Sequence, residues 1–236
     1  MRRIMMLTIS VVLALIVATP AVVAQGSQAP SKAKQIGKLS TAWWQQVLNE
    51  KEPPTCGSLD RDEVQGNVPY LANSTGEVDA NCTVPSGSKV LFPILNFACS
   101  PQLSDPFTTE EDLRNECSSI LDYALEGATD VVATVDGKDV TGRMVCAESP
   151  LFSLTIPSNS FSVAAGFGKE GTGPAVANGC WVLLAPLSVG EHTIAFGGTF
   201  PLNPEFFGTD PDTGEPLTFT QDATYTSTVV PHSKKK

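Results

Sequence analysis

Histidine, basic residues and long apolar runs are what this sequence has little of, and each shortage closes a class of function. Two histidines occur, His192 and His232, too few for a zinc site built on imidazoles. A Ser-His-Asp triad would have to use His192, and no GxSxG nucleophile elbow is present. Ser86-Gly-Ser-Lys89 satisfies SxxK, yet the SDN and KTG segments that accompany that motif are missing. A Pro-Ser-Gly turn entering a strand also does not hold serine and lysine on one helical turn. Acids are missing before Glu50 and bases are scarce after it: residues 50–233 carry all 25 acids against 7 bases, a net of −18. Such a body repels phosphate backbones, which argues against nucleic acid as a partner. Apart from residues 4–18, no apolar run approaches the roughly 20 residues that span a bilayer, so no transmembrane segment is expected in the mature chain.

What is present begins with Arg2 and Arg3, the apolar run and small residues closing at Ala24. This reads as a signal peptide over residues 1–24, which places the mature protein outside the cytoplasm, secreted or periplasmic. Residues 25–39 are polar and read as a flexible leader, and residues 231–236, with Lys234, Lys235 and Lys236, as a basic tail. Between them, residues 40–230 read as one disulfide-bonded domain. All six cysteines lie in the mature part, and an even number in an oxidising compartment points to disulfides. The expected pairs are Cys99 with Cys117, Cys56 with Cys82 and, by elimination, Cys146 with Cys180.

The chain is organised around residues 180–200, CWVLLAPLSVGEHTIAFGGTF. Its two apolar stretches, 181–184 and 193–196, read as sheet strands separated by a turn. Leu187, Gly190 and His192 are similar to the corner that enters the penultimate strand of immunoglobulin-like sandwiches, where a tyrosine usually bonds back to the chain. His192 fills that slot as a structural corner residue, donating one ring N–H to an upstream carbonyl. Short strands elsewhere, an Asp136-Gly137 hairpin and an alternating last strand over 217–230 complete a mainly β pattern. The expected fold is an immunoglobulin-like or jelly-roll antiparallel β-sandwich with one or two short helices packed on it. One helix is capped by Ser40 and carries Trp43, Trp44, Val47 and Leu48 on one face; the other is capped by Thr108 with Glu111 and buries Leu113, Cys117, Ile120, Leu121 and Ala124. Pro93 inside an apolar strand argues for an edge position or a bulge. Residues 161–165 read as a strand and 166–179 as a glycine-rich loop.

Four patterns bear on binding. Trp43 and Trp44 can stack on sugar rings, although docking their helix on the sandwich is the favoured use. Asp210, Asp212 and Glu215 form a short acidic loop of the kind that wraps calcium, but glycine stands fifth and position twelve is Gln221, off the EF-hand pattern. No cofactor is therefore expected, calcium being the one weak possibility. Gly166-Phe-Gly168-Lys-Glu-Gly171 fits GxGxxG without the following helix that would receive a pyrophosphate. The threonines of the last strand offer a flat polar row, which solvent-facing β-propensity explains.

The segments STAWWQQVL, NCTVPSGSKVLFPILN and ANGCWVLLAPLSVGEHTIAFGG resemble a group of uncharacterised secreted bacterial proteins with a tryptophan-rich first helix, a CTVPxG strand start and a late LSxGEHTIxFGG segment. Those proteins usually read WWQW where this chain has Trp43-Trp44-Gln45-Gln46. The resemblance implies secretion and a compact domain, and it brings no activity. The chain therefore reads as a secreted, non-catalytic binding or structural module for an extracellular ligand or polymer. The alternative is a carboxylate-based hydrolase, which needs two facing acids in a cleft.

Overall fold

The computed structural model describes residues 30–59, 68–72, 76–103 and 106–231; the expected signal peptide and the tail residues from His232 onward lie outside them. Two sheets face each other. The first runs in the order β1 (Cys56–Leu59), β2 (Val68–Leu71), β4 (Val90–Cys99), β9 (Gly171–Leu184) and β7 (Val145–Glu148), with β8 (Phe152–Ile156) paired to the start of β9. The second runs β3 (Gly76–Pro85), β11 (Thr218–Val230), β10 (Gly190–Pro201), β5 (Thr129–Val135) and β6 (Lys138–Asp139). The protein is thus a mainly β sandwich. It is not wholly antiparallel: β2 lies parallel to β4 and β3 parallel to β11. Both parallel strands sit toward the same side of the sandwich, because β3 and β1 reach the edges of their sheets there.

The β4–β9 ladder is buried on both faces. Successive side chains point to opposite faces, and here both sets are apolar. Val90, Phe92, Cys180, Val182 and Leu184 meet Phe196, Tyr225 and Val229 of the second sheet, while Leu91, Trp181 and Leu183 face the other way. That outer face is covered by α1 (Pro30–Asn49), whose Ile36, Leu39, Trp43 and Val47 pack on Tyr70, Leu91 and Trp181. Trp43 stands edge-on to both Trp181 and Tyr70, with ring centroids 5.4 and 6.3 Å away, an arrangement that aromatic quadrupoles favour. Gly37 lets the helix lie against the backbone of Glu148 and Ser149, where any Cβ would collide.

This corrects the flexible leader over the part of 25–39 that is described, residues 30–39. The helix starts ten residues before Ser40, and Ser40 sits inside it with its hydroxyl donating to the Gly37 carbonyl at 2.9 Å. Ile36 and Leu39 supply enough apolar surface to order the segment despite its lysines. A second long helix, α2 (Glu110–Glu126), begins one residue later than expected: Thr109 is the cap and accepts from the Asp112 N–H. Its apolar face is the expected one, with Leu113, Cys117, Ile120, Leu121 and Ala124 all buried. It lies on the same side of the first sheet as the second sheet does, against Cys99 and Val176. Arg114 clips it to the first sheet, pairing with Glu110 and with Glu148 at 2.9 Å while donating to the Ser149 carbonyl at 3.0 Å.

Pro93 lies in an interior strand, and of the two expectations for it the bulge is the one that forms, at the register shift between Pro93 and Leu95. Two other readings change. Residues Phe161–Ala164 form a helical turn, α3, because the Ser160 hydroxyl caps it by accepting from the Val163 N–H. The expected loop over 166–179 is strand from Gly171 onward. Gly173 and Gly179 are there because Gln102 and Asn96 press against them, so these glycines serve close packing and not chain reversal.

All three expected disulfides form. Cys56–Cys82 ties β1 of the first sheet to β3 of the second, Cys99–Cys117 ties β4 to α2, and Cys146–Cys180 joins residues directly opposite on β7 and β9. Replacing Cys56 and Cys82 together by serine should cost about 3 kcal/mol by the chain-entropy model, read as a lowered denaturant midpoint. Deleting residues 25–39 should cost about 3–6 kcal/mol through the lost burial of Ile36, Leu39 and Ala33, lowering Tm by roughly 10 °C. An unchanged Tm would mean that these residues are a leader after all.

Candidate functional site

Two places gather polar or open surface that the core does not consume: the corner at His192 and the gap between the edges of the two sheets. The corner forms where the chain leaves the first sheet at Leu184 and enters the second at Gly190. His192 Nε2 lies 3.0 Å from the Ser188 carbonyl oxygen and 3.2 Å from Ser188 Oγ, and Nδ1 lies 2.8 Å from Asp136 Oδ2. The bond back to an upstream carbonyl is the one expected of a corner residue. Asp136 was not anticipated. It occupies the first central position of the β5–β6 hairpin, where it and Gly137 have φ values of 51° and 73°, and the β5–β10 register brings that turn beside His192. Its second oxygen accepts from the Thr193 N–H at 3.0 Å, so this one carboxylate holds the hairpin, the ring and the start of β10 together. An Asp-Gly turn is visible in sequence, but a pairing register across 56 residues is not.

Serine, histidine and aspartate stand here in the order of a hydrolytic triad, and the details run against that chemistry. A general base needs a free lone pair on Nε2 to take the serine proton. With the Ser188 carbonyl oxygen 3.0 Å away, that nitrogen is better placed to hold a proton and donate it. The hydrogen bond to Asp136, then the one to Ser188, raise the His192 pKa above its ordinary 6.5. The same contact, followed by the Thr193 N–H, lowers Asp136 below 3.8. The corner is therefore a hydrogen-bonded clasp that favours the charged ring and fastens a hairpin.

The second place is a cleft of about 290 Å³ lined by Cys56, Gly57 and Ser58 of β1, Pro69, Tyr70 and Leu71 of β2, and the 82–85 end of β3. It exists because β1 and β3 are the outermost strands of their sheets on the same side, held together by Cys56–Cys82 with Cα atoms 6.2 Å apart. Gly57 admits the Tyr70 ring against the β1 backbone. Tyr70 is buried, and its phenol is pushed up to about 12 by that burial and then by Glu50. On the opposite sheet, the Tyr225 hydroxyl donates to the Ala72 carbonyl at 2.7 Å, fixing the end of β2 to β11. The described lining carries no carboxylate and no histidine, so the facing acids on which carboxylate-based hydrolysis depends are not found in it.

The remaining expected site residues are dispersed. Trp43 is buried under α1 and not offered to a sugar; Trp44 is half-buried beside it, ring centroids 5.0 Å apart. Asp210 Oδ1 accepts from the N–H groups of Asp212 and Thr213 at 2.9 and 2.8 Å and from the Thr213 hydroxyl. Its carboxylate thus closes its own turn, with Glu215 held through backbone groups. Among the described residues no group of three or more His, Cys, Asp or Glu side chains converges on a metal position, and no helix is long and apolar enough to cross a membrane. The stretch Gly166–Gly171 of the GxGxxG pattern precedes a strand and not a helix.

No protein-family model matches the chain, and no curated protein matches it. Among solved structures, that of a cysteine protease inhibitor, EhICP2, from Entamoeba histolytica aligns over 65% of this chain and 94% of its own length, at 12% identity and a TM-score of 0.20. A superposition that poor carries no argument about function.

The His192–Asp136 pair has a definite pH signature. A raised histidine pKa contributes stability that is complete below about pH 6.5 and is lost as pH rises through the folded value; a lowered aspartate pKa contributes above about pH 3.8 and is lost as pH falls through the folded value. The window is mild acid. His192→Gln should therefore cost more at pH 5.5 than at pH 8.5, by about 0.5–1 kcal/mol given the exposure of Asp136. Denaturant melts of both proteins at the two pH values measure this, and an equal cost at both would mean that the ring acts by packing alone.

Proposed function

We propose that this protein is a secreted, non-catalytic binding module that takes an extracellular ligand in the cleft between β1 and β3. The observation that carries this reading is the cleft itself: an open seam between two sheet edges, held by a disulfide and lined by uncharged groups. Specific sites are generally concave and mostly apolar, with a few fixed polar groups, and here the strand backbone supplies the polar part. Secretion is supported by the signal-like N-terminus and by three disulfides, which persist in oxidising compartments. The resemblance to the tryptophan-rich secreted group, which implies secretion, agrees with both. The corner histidine serves the fold, which leaves no assembled catalytic set among the described residues.

The test is binding followed by recovery. Labelled protein is applied to arrays of extracellular peptides and glycans, in parallel with a Pro85→Trp variant that narrows the mouth of the cleft. A ligand recovered chemically unchanged, and bound at least tenfold more weakly by the variant, is the expected result. A cleaved ligand, or binding indifferent to the substitution, would overturn the proposal.

A further inference from the structure

The ligand class can be read from how the two edges are built, and this step rests on the cleft being the binding site. A strand at a sheet edge presents unpaired N–H and C=O groups along one side. Among the described residues, β3 pairs with β11 on one side and has no strand on the other. The Asn81 carbonyl oxygen lies 3.9 Å from the Cys56 sulfur, on the side away from β11. Since backbone groups alternate in direction along a strand, Asp79, Asn81 and Thr83 all turn their N–H and C=O outward. At Asn81 the bridge to β1 occupies that side. Beyond it, at Thr83, the edge opens into the cleft.

A short extended segment laid beside Thr83 would continue the second sheet by one strand. Its side chains would alternate. One set would enter the cleft toward Tyr70, Leu71 and Val84, which are apolar and buried. The other set would join the solvent-facing row of β3, where Asp79, Asn81 and Thr83 are exposed. Charge selects further: the exposed row of β3 holds Asp79 and no base, on a body whose residues 50–233 carry a net of −18, so the outward set is best matched by lysine or arginine. The volume of about 290 Å³ suits only a few residues. We infer that the cleft binds an extended, alternating apolar and basic peptide segment of a partner protein by adding it as a strand to the open edge of β3, a recognised mode of peptide capture.

The probe is the synthetic octapeptide Lys-Val-Lys-Val-Lys-Val-Lys-Val, titrated into 15N-labelled protein in 0.15 M salt, where diffuse attraction to the acidic body is largely screened. Two further peptides of identical charge carry N-methyl groups on alternate residues, one on the lysines and one on the valines. An added strand bonds to β3 through one set of N–H groups only. One methylated peptide should therefore bind at least tenfold more weakly while the other changes by less than threefold, with the largest shifts at Thr83, Gly57 and Ser58. Thr83→Pro removes the outward N–H at a position where an edge strand tolerates proline, and should weaken the parent peptide at least tenfold while the melting curve stays close to wild type. Equal binding of all three peptides means charge attraction only and overturns the inference. No peptide binding, while another ligand maps to the cleft, overturns the peptide class and leaves the cleft standing; a ligand mapping elsewhere overturns both.

Discussion

Burial of the β4–β9 ladder on both faces is the constraint on which the other elements depend. An antiparallel sheet can leave one face to water, but Leu91, Trp181 and Leu183 are as apolar as Phe92, Val182 and Leu184 on the reverse. The outer set demands a cover, and α1 supplies it. Burying Trp43 and Trp181 alone is worth on the order of 5 kcal/mol, which offsets the poor fit of Lys32 and Lys34 to the positive end of a helix dipole. The inner set demands the second sheet, whose Phe92–Phe196 and Phe196–Tyr225 ring contacts run through the middle of the sandwich.

From that constraint the position of the cleft follows. Strands β1 and β2 extend the first sheet beyond β4, and β3 extends the second beyond β11, so both sheets end on one side with no further strand among the described residues to close them. Two ordinary means hold such a seam at a fixed width. Cys56–Cys82 ties the edges directly, and Tyr225 to Ala72 ties the interior just behind them. The edge thus remains open but rigid. A binding partner would not have to spend free energy on ordering it.

Much of the scaffold was legible because it rests on local chemistry. The Asp136-Gly137 turn, the apolar stripe of α2, the alternation of β11 and the pairs Cys99–Cys117 and Cys56–Cys82 follow from spacing and side-chain type, with Cys146–Cys180 left by elimination. The errors share a cause. Gly173 and Gly179 read as part of a glycine-rich loop, and Gly37 lies in a stretch that reads as polar leader, whereas each makes room for a specific neighbour, Gln102, Asn96 and Glu148, that is distant in sequence. Without that contact, a polar stretch with a glycine looks like leader or loop, and so α1 and the first half of β9 were misjudged. The candidate cleft was illegible for the same reason: Gly57, Ser58, Pro69 and Thr83 are unremarkable apart, and only the sheet order brings them to one seam.

The corner shows why similar residues need not do similar work. A serine, a histidine and an aspartate in hydrogen-bond sequence meet the geometric description of a nucleophile, base and orienting acid. What separates a catalyst from a clasp is the direction in which the proton is drawn. In a catalyst the outer nitrogen is left an acceptor, so that it takes the serine proton when a substrate arrives. Here Ser188 bends its own carbonyl toward that nitrogen because the two residues share one tight turn, four positions apart, and Asp136 stabilises the resulting cation from the other side. Both partners favour the charged ring, and a ring held in that form has no free lone pair on Nε2 with which to take the Ser188 proton. The geometry that fastens β5 to β10 is thereby the geometry that keeps Nε2 from acting as a base toward Ser188.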